Sequence, residues 1–406
     1  MVKSHILGFP RIGRNRDLKK AVEAYWKGSL TMQDLIVAAD NIKKENWQLQ
    51  KHTDMDFVTV GDFAYYDHIL NLSASFGVIP ERFGHVQGSK ADLNLIFRMG
   101  RGRAPVGKEA EACEMTKWFD TNYHYIVPEF TAGQTFQLSY DELFSDVKLA
   151  KAQGHRVKAV LTGPLTYLYL EPAWKNAFKT AYSKLCGKGV KILLTNYFGY
   201  LADNLDSVIT LPVDGLHIDA VRGKKEVMTA AEKFPADKVL SVGIVEGRNI
   251  WKNPLDQSLT QMQEITALRK GEVWVASSCS LMHSPVSLDT EIKLNADLKA
   301  RLAFAAEKCE EIRSLKVTLN NAKDARAEAW FNASAEAKRI RESSPDVYRE
   351  DVRKRVAMIN DDMTTRKAPY AERRKEQSEA LGLPCFRRQP LALSRKQTIS
   401  VRYATR

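Results

Sequence analysis

The sequence predicts an α/β fold with a parallel sheet, of the (βα)8 TIM-barrel type. Three observations predict it. Short apolar runs of strand length alternate with longer stretches in which apolar residues recur at helical spacing. Each run ends in glycine or polar residues and hands over to a helical stretch, which is the signature of βα units. The 406 residues suffice for one large barrel or two medium domains, and the runs number close to eight.

The first run, His5-Ile6-Leu7, ends in Gly8-Phe9-Pro10. A turn with Gly13 follows, and then a helix over residues 17–28, where Asp17 suits the N-terminus and Leu18, Val22, Tyr25 and Trp26 form one stripe. A second helix is expected over 32–45. Further strands are expected at 57–60, 157–161, 190–195, 215–220, 239–245 and 273–278, and a weaker run at 125–127 supplies an eighth. Periodicity alone leaves an open, doubly wound sheet as the alternative. From about Asp289 the pattern turns to long helices, and beyond Asn320 these become charged and Ala-rich, with Pro345 expected at a helix start. The expected division is a barrel over 1–318, a charged helical extension over 319–386 and a basic tail over 387–406.

Composition narrows the class of protein. Hydrophobic residues at 44% and charged residues at 27% are ordinary for a globular chain. No run of about 18 apolar residues occurs and no signal peptide precedes the first strand, so a cytoplasmic location without membrane contact is expected. The five cysteines, Cys113, Cys186, Cys279, Cys309 and Cys385, are scattered without any C-x-x-C pair, against a disulfide framework or a four-cysteine zinc site. The net charge of +12 invites nucleic-acid binding. However, Arg387, Arg388, Arg395, Lys396, Arg402 and Arg406 supply half of that excess from the tail alone, and no nucleic-acid partner is expected.

Walker A, dinucleotide and Gly-x-Ser-x-Gly motifs are missing. What remains are polar residues at strand ends: Gly61-Asp62, Thr162-Gly163, His217-x-Asp219, Glu246-x-Arg248-Asn249 and Ser277-Ser278-Cys279, which would line one rim of a barrel. His217 and Asp219 face the same way along a strand, as a structural pair or as a general base or metal ligand. Cys279 and His283 have helical ligand spacing but no neighbouring ligands. Trp118, Phe119, Tyr123 and Tyr125 read equally as a platform for a flat heterocycle or as core. Arg11, Arg14, Arg16, Lys19 and Lys20 crowd the first strand-to-helix turn, as an anion site or as a solvated basic helix start.

Several long strings together resemble the N-terminal half of the cobalamin-independent methionine synthase family. They include 7–13 (Leu-Gly-Phe-Pro-Arg-Ile-Gly), 60–63 (Val-Gly-Asp-Phe), the stretch from Glu114 to Tyr125, 211–217 (Leu-Pro-Val-Asp-Gly-Leu-His), 247–251 (Gly-Arg-Asn-Ile-Trp) and 278–283 (Ser-Cys-Ser-Leu-Met-His). The resemblance covers most of residues 4 to 385. It implies two face-to-face (βα)8 barrels in the intact enzyme, which moves a methyl group from 5-methyltetrahydropteroyl-polyglutamate to homocysteine. For this chain it implies folate-tail contacts at Arg16, Asp17, Leu18 and Lys19 and a further folate contact at Lys117. The homocysteine site and the zinc ligands of the intact enzyme belong to the second barrel. Cys279 resembles the counterpart of one ligand cysteine, but 193–197 (Leu-Leu-Thr-Asn-Tyr) carries no His-x-Cys pair, so no zinc site is expected within these residues, and no cobalamin. A noncatalytic folate-polyglutamate-binding module is the alternative to a part of a methyltransferase.

Two departures from the family pattern stand out. After Thr162-Gly163-Pro164 the family continues through a helix and a strand ending in Asp-Glu-Pro, whereas here Leu170 runs into Glu171-Pro172, as though one αβ unit were absent. After Pro384 the family continues Thr-Thr-Thr-Ile-Gly-Ser-Phe-Pro-Gln-Thr, but this chain has Arg388-Gln389-Pro390-Leu391-Ala392-Leu393-Ser394-Arg395-Lys396-Gln397. Codons for the observed tail, read one nucleotide upstream, spell the family string. The tail is therefore expected to be out-of-frame translation, and the chain alone is expected to lack methyl transfer.

Overall fold

The apolar runs become nine short strands among the residues described by the computed structural model, which are 1–131, 133–168, 181–345 and 347–382. In chain order these are β1 (Lys3–His5), β2 (Val58–Val60), β3 (Met115–Lys117), β4 (His124–Ile126), β5 (Val157–Ala159), β6 (Leu193–Asn196), β7 (Gly215–Asp219), β8 (Val239–Val245) and β9 (Val273–Ser277). The principal sheet runs β1-β9-β8-β7-β6 with every pair parallel. Pairing the first strand with the last is what a barrel requires, and it favours that arrangement over the open doubly wound alternative.

β2 and β5 form a second parallel pair. Across the seam between β1 and β2, the Ser4 backbone N–H and hydroxyl donate to Asp56 Oδ2 at 2.7 and 3.1 Å, and the Asp56 N–H donates to the Ser4 carbonyl at 3.1 Å. Between β5 and β6 no ladder forms among the described residues, so the seven parallel strands are divided between a five-stranded sheet and a pair. The run at 125–127, expected as a weak eighth barrel strand, is instead one arm of an antiparallel hairpin, with Lys117 opposite His124. Its partner Met115–Lys117 is exposed at every position, so it carries no alternation to announce it.

The core follows the sheet. Leu216, Ile218, Leu240, Val242 and Val275 are buried from the central strands against Leu255, Met262 and Ile265 of the helix Leu255–Leu268 and Ile312 and Leu315 of the helix Ala305–Leu319. Replacing one such Leu or Ile by Ala costs about 2–5 kcal/mol. A second cluster joins Leu18 and Tyr25 of α1 (Asp17–Trp26) to Leu35, Ala39 and Ile42 of α2 (Met32–His52). α2 starts at a Thr31–Asp34 capping box and runs a full turn and more beyond the expected 45, because Trp47 and Gln50 still point inward. The charged run Lys43-Lys44-Glu45 hides that continuation, since Lys43 is itself buried and bonded to Asp146 Oδ1 at 2.7 Å.

Two glycines hold strands at close quarters. A Cβ on Gly243 of β8 would lie 2.7 Å from Ser278 Cα and 2.9 Å from the His217 ring. Gly61, just past β2, has φ +87°, and a Cβ there would lie 2.6 Å from the Val160 carbonyl oxygen.

The chain divides into two compact units, Met1–Ser343 and Ser344–Arg406. The helix Ala325–Ser343 belongs to the first unit, with Ala327, Ser334 and Ala337 buried. In the second, the helices Glu350–Ala357, Asp361–Thr364 and Tyr370–Leu381 bury no residue. Pro345 does not start a helix. The Ser344 carbonyl accepts the N–H groups of Val347 and Tyr348, a turn, and the next helix begins at Glu350. The Leu170–Glu171 junction and the tail 387–406 lie outside the described residues. No helix among the described residues is long and apolar enough to cross a membrane.

Candidate functional site

Because the barrel strands are parallel, the polar residues that follow them gather on one rim. The β3–β4 hairpin lies over that rim and ties its loops together through Tyr123. Four polar groups surround the Tyr123 hydroxyl: Arg11 Nη1 at 2.9 Å, His68 Nδ1 at 2.9 Å, Asp67 Oδ1 at 2.8 Å and, farther off at 3.4 Å, the His68 backbone N–H. A hydroxyl has one proton and two lone pairs. The arrangement is satisfied when Arg11 and His68 donate to it and it donates to Asp67. The other carboxylate oxygen of Asp67 accepts the Leu70 N–H at 2.8 Å, capping α3 (His68–Ser75), and the Ile126 N–H of β4 at 3.1 Å. Burial lowers the His68 pKa to about 4, so the imidazole is neutral at pH 7.

The same hairpin reaches the far side of the rim. Asp120 pairs with Arg248 at 2.7 Å, which holds its carboxyl below the usual range, and Arg248 lies 4.9 Å above the Phe198 ring. Phe119, 58% exposed, meets Phe198 edge-on, and Phe198 and Tyr123 both contact the His283 ring. Of the aromatic row, Trp118 is buried against His68 and Tyr125, whereas Phe119 stays open. Core packing and an accessible aromatic face therefore coexist in one hairpin.

The first strand-to-helix turn divides its charges. Arg11 is consumed in structure: besides Tyr123 it donates to the Tyr66 carbonyl and stacks over the Tyr123 ring. Arg14 reaches Asp289 at 3.2 Å. Arg16, at the left-handed N-cap of α1 with φ 60°, is exposed, as is Lys20, and neither is ion-paired among the described residues. Lys19 is exposed and lies 3.7 Å from Glu23, one turn along. Asp17 Oδ2 accepts the Asn15 N–H at 3.1 Å and so shapes the turn. Leu18 is 2% exposed, with its N–H donating to the Ile12 carbonyl, so its side chain packs inward. Lys117 is exposed on β3. The Arg11–Tyr123 bond fastens the hairpin bearing Lys117 to the turn bearing Arg16 and Lys19.

Inside the barrel, His217 and Asp219 are both fully buried but do not bond to each other. His217 Nδ1 meets Ser241 Oγ at 2.8 Å, and Asp219 accepts N–H groups of Phe198, Val221 and Arg222. Asp62, after β2, accepts the Phe9 N–H at 2.7 Å and the Thr59 hydroxyl at 3.0 Å, and burial raises its pKa to about 6. Cys279 is buried, its thiol pushed up to about 12 by burial and donating to the Ser280 carbonyl. No group of three or more His, Cys, Asp or Glu side chains is placed to hold a metal ion among the described residues.

The family model for the cobalamin-independent synthase N-terminal domain matches residues 3–172 and 170–270. The chain belongs to the cobalamin-independent methionine synthase family, within its N-terminal domain. The family is cobalamin-independent by definition. Curated relatives named 5-methyltetrahydropteroyltriglutamate–homocysteine methyltransferase include one from Citrobacter koseri, 41% identical over 432 aligned positions, covering 95% of this chain and 56% of the relative. Another, from Klebsiella pneumoniae, is 40% identical over 428 positions, covering 94% and 56%. The chain thus spans little more than half the length of these relatives. A solved B12-independent methionine synthase from a Shewanella species, in complex with selenomethionine, aligns over 72% of this chain and 91% of its own at 11% identity, with a TM-score of 0.47.

Sequence reasoning found the rim, the basic turn and the aromatic row, but not the Tyr123–Asp67–His68–Arg11 hub. The one signal available was Asp67, an N-capping residue directly before the apolar stretch of α3.

Proposed function

We propose that this domain of the cobalamin-independent methionine synthase family binds the γ-glutamyl tail of 5-methyltetrahydropteroyl-polyglutamate, as part of methyl transfer to homocysteine in methionine biosynthesis. Arg16 and Lys19 contact tail carboxylates from the N-terminal turn of α1, and Lys117 contacts the folate from the hairpin. Asp17 and Leu18 hold the shape of the turn. The observation that carries this reading is the joining of two exposed basic elements by the Arg11–Tyr123 hydrogen bond. A polyglutamate tail is a row of carboxylates, and ammonium and guanidinium groups beside a helix start offer it charge-assisted hydrogen bonds. The homocysteine and zinc chemistry is proposed to belong to the part of the relatives with which this chain does not align, and the chain by itself is proposed not to turn over.

Missing from this chain, on the same reading, is one αβ unit near residue 170. The family match breaks into two segments that meet at 170–172, and the alignment to the Citrobacter relative runs over 432 positions, more than the 406 residues of the chain. Both support that reading, as does the lack of a ladder between β5 and β6 among the described residues. The nucleotide sequence across Leu170–Glu171 and beyond Pro384 tests the deletion and the frameshift together. Codons incompatible with the shifted frame would sink the second.

For binding, calorimetry of the full chain with methyl-folate triglutamate is expected to give an affinity that falls when Lys19 and Lys117 are both changed to Ala. Turnover by the chain, purified free of any full-length enzyme, would refute its dependence on a second barrel.

A further inference from the structure

Lys117 stands on a strand that its own packing does not locate. Met115, Thr116 and Lys117 of β3 are all exposed, so no side chain of that strand is buried to fix its height above the rim. Trp118, buried directly after it, gives one anchor, and the Tyr123 hydroxyl gives a second on the returning arm. The turn between them holds Phe119 at φ 51°, a left-handed conformation that a bulky residue keeps only where its surroundings impose it. A contact suited to impose it comes from the next residue. Arg248 Nη2 donates to the Asp120 carbonyl at 3.0 Å and pairs with Asp120 Oδ1 at 2.7 Å, gripping both the backbone and the side chain of the hairpin tip.

Arg248 is itself held from behind. It follows β8 in a segment, 246–254, that runs outside helices and strands, so its backbone groups need partners from elsewhere. Buried side chains of two helices supply them. Glu311, of the helix Ala305–Leu319, accepts the Asn253 N–H at 2.8 Å, and Lys308 of the same helix donates to the Trp251 carbonyl at 3.2 Å. Ser334, of the helix Ala325–Ser343, accepts the Leu255 N–H at 3.0 Å and donates to the Asn253 carbonyl at 2.6 Å. Lys308 and Glu311 are fully buried and Ser334 nearly so. Burying charged groups is unfavourable unless they satisfy something, and what these satisfy is the backbone that carries Arg248. On its other face the guanidinium lies 4.9 Å from the centre of the Phe198 ring.

We propose that Arg248 is a positioning residue for folate-tail binding: it clamps the hairpin tip and thereby sets where Lys117 meets the ligand, with Glu311 and Ser334 placing Arg248 in turn. The positioning role rests on the reading of Lys117 as a folate contact, whereas the clamp rests on the contacts around Asp120. Arg248 acts through the hairpin and not on the ligand, because its guanidinium is engaged by Asp120 and Phe198 and its side chain is only 19% exposed.

Charge and clamp give opposite signs for Asp120. Its carboxylate is 77% exposed and repels an anionic tail, so Asp120→Ala acting through charge alone would tighten binding. Acting through the clamp, it weakens binding. Calorimetry of the full chain with methyl-folate triglutamate is expected to show Asp120→Ala binding about twofold to fivefold more weakly, the range open to one exposed ion pair. In a Lys117→Ala background the same substitution is expected to cost nothing or to tighten binding, since no lysine is left to place. A second measurement needs no folate. Arg248→Met is expected to speed amide exchange at Trp118 and Thr121, whose N–H groups close the tip on the Tyr123 and Trp118 carbonyls, while Ile218 and Val242 in the β7–β8 ladder keep their protection. Ser334→Ala is expected to speed exchange at the same two tip amides to a smaller extent. Unchanged exchange at the tip in Arg248→Met would overturn the clamp. Unchanged or tighter binding by Asp120→Ala, or an equal loss with and without Lys117, would overturn the positioning of Lys117. If Lys117→Ala alone loses no affinity while Arg248→Met still frees the tip, the folate contact at Lys117 falls, and the positioning role with it, leaving the clamp as a structural device.

Discussion

Replacing Tyr123 by Phe tests how the rim is assembled, because it deletes one atom and keeps the ring contacts with Arg11, His68 and His283. Four groups lose a partner at once: Arg11 Nη1, His68 Nδ1, Asp67 Oδ1 and, from a longer contact, the His68 backbone N–H. Arg11 keeps the Tyr66 carbonyl, and Asp67 keeps the Leu70 and Ile126 N–H groups on its other oxygen, so neither charge is stranded completely. Hydrogen bonds to charged groups contribute about 1.5–3 kcal/mol each, and partial retention of partners brings the expected loss to about 2–3 kcal/mol for the whole hub. That is a large share of the roughly 5–15 kcal/mol by which domains are stable. Urea unfolding followed by tryptophan fluorescence reads the loss as a lower midpoint at unchanged slope. Tyr125→Phe is the control, since its hydroxyl makes no hydrogen bond among the described residues and its removal should stay within about 0.5 kcal/mol. If Tyr123→Phe costs no more than Tyr125→Phe, the hub does not hold the hairpin.

Gly243→Ala should destabilise the chain by about 1–3 kcal/mol, read as a lower thermal midpoint, because the added methyl meets Ser278 Cα and the His217 ring below contact distance. Asp62 governs a pH effect. Its folded pKa of about 6 lies above its ordinary 3.8, so between roughly pH 4 and 6 the folded state binds more protons than the unfolded one and stability falls as pH rises. Asp62→Asn removes that contribution, and the wild-type minus variant stability should decline across the same window. A flat difference would remove burial as the cause.

The parallel strands were legible because β-branched runs such as those of β8 and β9 stop at polar or glycine residues. Three-residue strands with exposed side chains, as in β3, offer no period to read. The end of α2 was hidden by Lys43, whose charge argues for solvent although Asp146 and Glu142 make it a core residue. In the basic turn, spacing placed Arg11, Leu18 and Lys19 in one group. Only tertiary structure separates them, since Arg11 is spent on Tyr123, Leu18 on the core, and Lys19 alone faces outward. The Asp67–Tyr123 bond joins residues far apart in sequence, which no local pattern records.

The measurement that bears most directly on the proposed function is a calorimetric comparison of methyl-folate triglutamate with its monoglutamate on the full chain. The triglutamate should bind more tightly, with an advantage that shrinks as salt rises, because exposed ion pairs contribute only about 0.2–1 kcal/mol each and are screened. Lys19→Ala and Lys117→Ala should each remove part of that advantage while leaving the unfolding midpoint unchanged. Equal affinity for the two ligands, or an advantage untouched by both substitutions, would contradict a polyglutamate site on the α1 turn and the hairpin.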